Sequence, residues 1–251
     1  MNILVCVKRV PATGGRITLT PDEQDLDTRF LGFTISPHEE CAVEEAVRLI
    51  EAHGGTSKVL TLGPPEAEEQ LRDALAVGIE RAILLDSGGH EWDPGATAAA
   101  IVEAVRASAE PFDLLLFGNE SADSGNYQVG VRVAHALGLP MVTGVKHLEL
   151  EDGEAVARRE AAGGWEVYRV PLPAVVTVRE GINLPRYPSV PGRLKAKKKE
   201  LERREPKFEG NTLEMIRLKL PPGSDKQVDI LGTGPDAAPK VVEVLKRIGV
   251  A

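Results

Sequence analysis

The stretch 118-GNESADSGNYQVG-130 holds the residues best suited to chemistry, because it is small and polar throughout and follows an apolar run. Gly118, Ser121, Ser124, Gly125 and Asn126 allow backbone N–H groups to approach an anion closely. A helix starting near Ser124 would point its positive end at that anion. Asp123 is then a natural acceptor for a ribose hydroxyl. The same composition also makes ordinary turns, so the residues alone leave a phosphate cradle and a plain loop both open. No G-x-G-x-x-G or G-x-x-x-x-G-K-[ST] follows any apolar run, which removes the dinucleotide fingerprint and the triphosphate loop.

Nothing else in the chain assembles a catalytic set. Ser87-Gly88-Gly89-His90 has the start of a pyrophosphate loop, but Glu91, Trp92 and Asp93 follow where a serine and an aspartate are needed, so it reads as a loop. His38, His53, His90, His135 and His147 are scattered, without the paired spacing a metal requires. His38 falls in the first turn of a helix, with neither a nucleophile nor an orienting carboxylate beside it. The pairs Glu39-Glu40 and Glu44-Glu45 read as solvated helix faces. No metal site and no catalytic residue is expected, and a nucleotide holder of this kind is a carrier or scaffold.

The elements that must position the loop alternate along the first 140 or so residues. The runs 2-NILVCVK-8, 58-KVLTLG-63, 81-RAILLD-86 and 113-DLLLFG-118 are continuously apolar, as in parallel strands covered on both faces. Between them, 39–54, 66–78, 94–109 and 124–138 have helical periodicity. Ser36, Pro37 and Glu39 form a capping-box start, and Gly54, Gly78 and Gly138 are helix stops. The β-α repetition implies an α/β fold built on a doubly wound, mostly parallel sheet whose ligands lie beyond the strand carboxyl ends. After Pro140, 145–161 and 165–180 alternate around Asp152-Gly153 and Gly163-Gly164, the pattern of antiparallel hairpins. Beyond that the chain is charged and proline-broken, with one helical stretch at 238–249. This divides it into a nucleotide-binding domain over 1–192 and a C-terminal arm over 193–251.

A formal net charge of -8 argues against nucleic-acid binding, and no run reaches the about 18 apolar residues of a membrane span. The start MNILVCVKRV reads as a buried strand rather than a signal peptide. With only Cys6 and Cys41, in no pair spacing, a reducing cytoplasm is the expected compartment. Against this acidic background, 193–204 carries seven basic and two acidic residues, which suits either a docking surface or a binder of acidic polymers.

Three segments together resemble the β subunit of electron transfer flavoprotein: 4-LVCVKRV-10, 36-SPHEECAVEEAVRL-49 and 159-REAAGGWEVYRVPLPAVVTVREGINLPRYPSVPGRLKAKKK-199. The likeness continues through 63–82 and 118–130. It implies an adenine-nucleotide alpha-hydrolase-like topology and an electron-carrier subunit without catalysis of its own. The expected partners are an α subunit holding most of the FAD, acyl-CoA or related dehydrogenases that give electrons, and a quinone oxidoreductase that takes them.

Carried over by position, the resemblance implies a structural AMP held by Cys6, by the turn of Ser36, Pro37, His38 and Glu39, and by Leu62. The rest of that pocket would be Ser121, Ala122, Asp123, Ser124, Gly125, Asn126, Tyr127, Gln128, Val129, Gly130, Val131 and Arg132. It likewise implies a docking segment of Pro185, Arg186, Tyr187 and Val190, with Val190 where a leucine is usual, steered by Lys195, Lys197, Lys198 and Lys199. Thr13 and His38 stand where many members carry a tyrosine and a phenylalanine near the flavin. The loop lacks both the run of acids of some AMP binders and the D-G-D-T-A-Q-V-G-P pattern of bifurcating members, which hold a second FAD in that place. A bifurcating subunit is therefore the alternative. A stand-alone adenine-nucleotide enzyme, the alternative of another class, would need the triphosphate loop that is missing.

Overall fold

A computed structural model describes residues 1–12, 14, 17–221 and 228–250. Thr13, where the resemblance suggested a flavin contact, lies outside the described residues. The chain forms two compact units, Met1–Arg217 and Leu218–Ala251.

The first unit opens with β1 (Asn2–Cys6), a short ribbon of β2 (Val10–Pro11) and β3 (Phe33–Thr34), and α1 (Pro37–His53). β4 (Thr56–Gly63), α2 (Glu68–Val77), β5 (Arg81–Asp86), α3 (Pro94–Arg106), β6 (Leu114–Gly118) and α4 (Val129–Leu137) follow. Then come β7 (Met141–Glu151), β8 (Glu154–Ala161), β9 (Gly164–Pro171), β10 (Ala174–Val178), α5 (Val190–Ala196) and β11 (Leu201–Arg204). Apart from the β2-β3 ribbon these strands make one nine-stranded sheet, in the order β11-β5-β4-β1-β6-β10-β7-β8-β9. It is parallel from β11 to β7 and antiparallel from β7 through β9.

Apolar runs form these central strands because successive side chains point to opposite faces and both faces are covered. On β1 and β6, Ile3, Val5, Leu114 and Leu116 pack with α1 and α2, while Leu4, Cys6, Leu115 and Phe117 pack with α3 and α4. That is a doubly wound α/β sheet with a core on each side. Helix ends follow local chemistry. The Glu39 carboxylate reaches back to the Ser36 backbone N–H at 2.9 Å, and Gly138 ends α4 in the left-handed region at φ 68°.

Several expectations change. The helix after β6 begins at Val129, not near Ser124, because residues 119–128 form turns with Gly125 and Tyr127 at positive φ. Both expected hairpins form, β7 with β8 over Asp152-Gly153 and β8 with β9 over Ala162-Gly163. β10 instead enters the middle of the sheet, parallel to both β6 and β7, since AVVTV is apolar enough to be buried on both faces. β11, assigned to the arm, is an edge strand paired with β5, so the first unit runs to Arg217 rather than stopping at residue 192. Glu44 and Glu45 are not solvated. Asn183 Nδ2 donates to Glu45 at 2.8 Å and the Arg186 guanidinium caps Glu44, because the segment after β10 lies over that side of α1.

In the second unit the described residues include α6 (Ala238–Arg247), which carries Lys246 and Arg247 in its last turn, where they complement the helix dipole.

Candidate functional site

From β1 the chain moves outward through β4 to β5, then returns to place β6 on the other side of β1. Such a reversal opens a crevice at the strand carboxyl ends. Here it is a cleft of about 1180 Å³. Register fixes its floor, since Cys6 stands beside Leu60 on one side and Phe117 on the other. The floor is apolar, and burial first and the Glu39 carboxylate second push the Cys6 thiol far up, so it is not a nucleophile.

Glu39 joins three segments beneath one wall. Its Oε1 accepts the Lys8 backbone N–H at 3.0 Å, and its Oε2 accepts both the Ser36 N–H and the Ser36 hydroxyl at 2.9 Å. The Ser36 hydroxyl oxygen in turn accepts the Ala122 N–H at 3.2 Å. Burial pushes the Glu39 carboxyl up to about 7 despite these donors. Gly118 admits this close packing, because a Cβ there would lie 2.6 Å from Glu39 Cγ.

The facing wall is the loop 119–128. Lys8 Nζ lies 2.5 Å from Asp123 Oδ2, tying the end of β1 to this loop. Burial raises the Asp123 pKa, but the Lys8 charge and hydrogen bonds outweigh it and hold the carboxyl below its ordinary value. The Ser121 and Ser124 hydroxyls are 3.0 Å apart, and Asn119 Oδ1 accepts the Thr177 hydroxyl at 2.8 Å. Tyr127 is held at φ 56°, strained for a bulky side chain. On the third side Arg9, which lines the cleft, stacks over Phe33 at 3.4 Å, and its buried Nε has no partner among the described residues.

Of the residues expected at a nucleotide site, Cys6, Glu39, Leu62, Ser121, Asp123, Ser124, Asn126, Tyr127, Gln128, Val129 and Gly130 line this cleft. Ser36 and Ala122 stand behind it, Pro37 begins α1, and Gly125 closes a turn on Ser121. His38 Nε2 faces Glu120 at 3.7 Å. Val131 lines a smaller neighbouring groove, and Arg132 turns back to Gln128 Oε1 at 2.9 Å. Sequence reasoning assigned no role to Lys8, Arg9, Thr177, Asp93 or Asn211–Met215, all of which line the cleft. Lys8-Arg9 directly after β1 was a usable signal. The approach of Asn211–Met215 is purely tertiary and had none.

The expected docking segment divides in two. Tyr187 is 96 % exposed and Val190 73 %, with Pro185 beside Leu184, which is also exposed. Lys195, Lys197 and Lys198 are exposed as well. Arg186 and Lys199 face inward instead. Arg186 forms two-pronged contacts with Glu44 and Glu51 of α1, and Lys199 Nζ donates to the Leu75 and Ile79 carbonyls at the end of α2. They anchor the segment rather than advertise it.

Among the described residues there is no cluster of acids, histidines and cysteines able to hold a metal, and no helix long and apolar enough to cross a membrane.

Comparison with known proteins identifies the family. The family model described as electron transfer flavoprotein domain matches residues 27–209. The electron transfer flavoprotein subunit beta of Bacillus subtilis is 36 % identical, with 98 % of each chain covered. That of Syntrophomonas wolfei is 35 % identical over 98 % of this chain and 96 % of its own. The caffeyl-CoA reductase-Etf complex subunit CarD of Acetobacterium woodii is 36 % identical over 76 % of this chain and 73 % of its own. A family model matching residues 27–209 and relatives aligned over 98 % of the chain place this protein in the electron transfer flavoprotein family, among its β subunits.

Proposed function

We propose that this chain holds an AMP in the cleft, pairs with an α subunit that carries the FAD, and docks acyl-CoA or related dehydrogenases through Tyr187 and Val190. Electrons then pass to a quinone oxidoreductase, and the work is done in the cytoplasm. The observation that carries the reading is the cleft at the strand reversal, which Lys8, Arg9, Ser121 and Ser124 line with donors. The FAD supplies the redox chemistry when bound. This chain supplies position: Lys8 and Glu39 brace the loop that grips the nucleotide, and Arg186 anchors the docking segment on α1.

A second reading has its own support. The cleft exceeds the about 300–1,000 Å³ of ordinary small-molecule pockets, and a relative is named as part of a caffeyl-CoA reductase-Etf complex. In that reading a second FAD fills the cleft and the subunit serves bifurcation.

One experiment separates the two. Co-expression with the α chain, acid release and mass spectrometry should yield one AMP and one FAD per heterodimer. Two FAD and no AMP would replace the first reading with the second, and no nucleotide beyond one FAD would remove both.

A further inference from the structure

After β11 the chain returns to the mouth of the cleft, where Asn211 through Met215 line it together with the loop before α3. Asp93, the buried N-cap of α3, fastens this segment. Its Oδ1 accepts the Ala96 N–H at 2.7 Å. Its Oδ2 accepts the Thr212 N–H at 2.7 Å, the Thr212 hydroxyl at 2.8 Å and the Leu213 N–H at 3.0 Å. Asn211 completes the joint by accepting the Asp93 N–H at 2.8 Å and donating to the Glu91 carbonyl at 2.9 Å. The Ala96 hydrogen bond first, with the Thr212 and Leu213 donors, holds the Asp93 carboxyl far below its ordinary range against its burial.

Both ends of the segment are also tied. Phe208 stacks on His90 with centroids 4.6 Å apart, and Gln24 Nε2 donates to the Ile216 carbonyl at 3.1 Å. Between these ties there is no helix or strand, and Leu213 and Ile216 are exposed. A stretch held by polar fasteners rather than by buried apolar surface opens locally without unfolding the sheet beneath it.

We infer that residues 208–217 are a strap across the cleft that sets how fast the bound nucleotide leaves, with Asp93 and Asn211 as its positioning residues. The inference rests on the reading that the cleft holds a nucleotide. It gives this joint a specific duty: with Thr212 and Asn211 fastened, residues 211–215 cover the mouth of the cleft, and with them released the mouth is open.

The test uses the heterodimer with its α chain, loaded with radiolabelled AMP and diluted into excess unlabelled AMP. Asn211→Ala and Thr212→Val, each deleting fasteners but leaving Asp93 to cap α3, should speed AMP release about tenfold or more, the scale of two lost neutral hydrogen bonds in the first and of one to a charged group in the second. Thr212→Ser, which keeps the hydroxyl, should release AMP near the parental rate, and the nucleotide-free heterodimers should melt together. Parental release rates in Asn211→Ala and Thr212→Val would overturn the strap while leaving the nucleotide reading intact. So would faster release matched by an equal loss of nucleotide-free stability or not rescued by Thr212→Ser. A parent that retains no AMP would defeat the nucleotide reading, and the strap with it.

Discussion

Lys8 Nζ and Asp123 Oδ2 meet at 2.5 Å although 115 positions separate them, and their ion pair closes the end of β1 against the loop after β6. Both side chains are partly exposed, at 46 % and 28 %, so the pair is worth no more than about 1 kcal/mol to global stability. Its effect is local. Lys8→Met should lower the melting temperature by little, yet hydrogen exchange at the amides of Ser124 to Gln128 should accelerate severalfold. Unchanged exchange would show that the loop stands without Lys8.

Glu39 makes stability depend on pH. Its folded-state pKa, about 7, lies above the unfolded value, so the folded chain binds the extra proton. The contribution is therefore fully present below the ordinary glutamate pKa and lost as pH rises through about 7. Lys8 and Cys6 are the titratable groups coupled to this carboxyl, so only a comparison isolates it. Denaturation at pH 5 and pH 8 should show Glu39→Gln flattening the profile by on the order of 2–3 kcal/mol. A parental slope in the variant would assign the dependence elsewhere.

Arg186 pairs with a Glu44 side chain that is 5 % exposed, while its own is 38 % exposed. Arg186→Ala strands a buried carboxylate, and the cost should be about 2 kcal/mol, below the 3–5 kcal/mol of a fully buried pair because water reaches the guanidinium. Arg186→Ala combined with Glu44→Gln should recover part of that loss. A purely additive double variant in urea melts would mean the two groups do not interact.

Tyr187 and Val190 protrude with no partner within the described residues of their own unit, so replacing them costs the fold little. Val190→Asp or Tyr187→Ala should slow reduction of the flavin by a partner dehydrogenase about tenfold or more, the scale of a central contact residue, while flavin content stays constant. Stopped-flow reduction at the parental rate would remove the docking assignment.

Much of the fold was legible in the sequence for a physical reason. Strands buried on both faces must be apolar without alternation, and NILVC, RAILLD and LLLF announce themselves as such. Helix ends are also local, so Ser36, Pro37 and Glu39 could be read together. Strand order is not local. AVVTV and LERR show composition only, and nothing nearby says that the first lies between β6 and β7 or that the second extends the sheet beside β5. Charges misled in the same way. Glu44, Glu45, Arg186 and Lys199 look solvated in a linear chain, and only the path of 183–199 over α1 and α2 turns them inward. In the cleft, the glycine- and serine-rich wall was visible, whereas Asn211–Met215 arrive from the far end of the unit.

Because β11 rejoins the sheet after the proposed docking segment, residues 179–200 form a handle with both ends riveted to one plate, rather than a tail held at one end. A handle of this kind has no free end from which to fray. Any load taken at Tyr187 or Val190 is shared between β10 in the middle of the sheet and β11 at its margin.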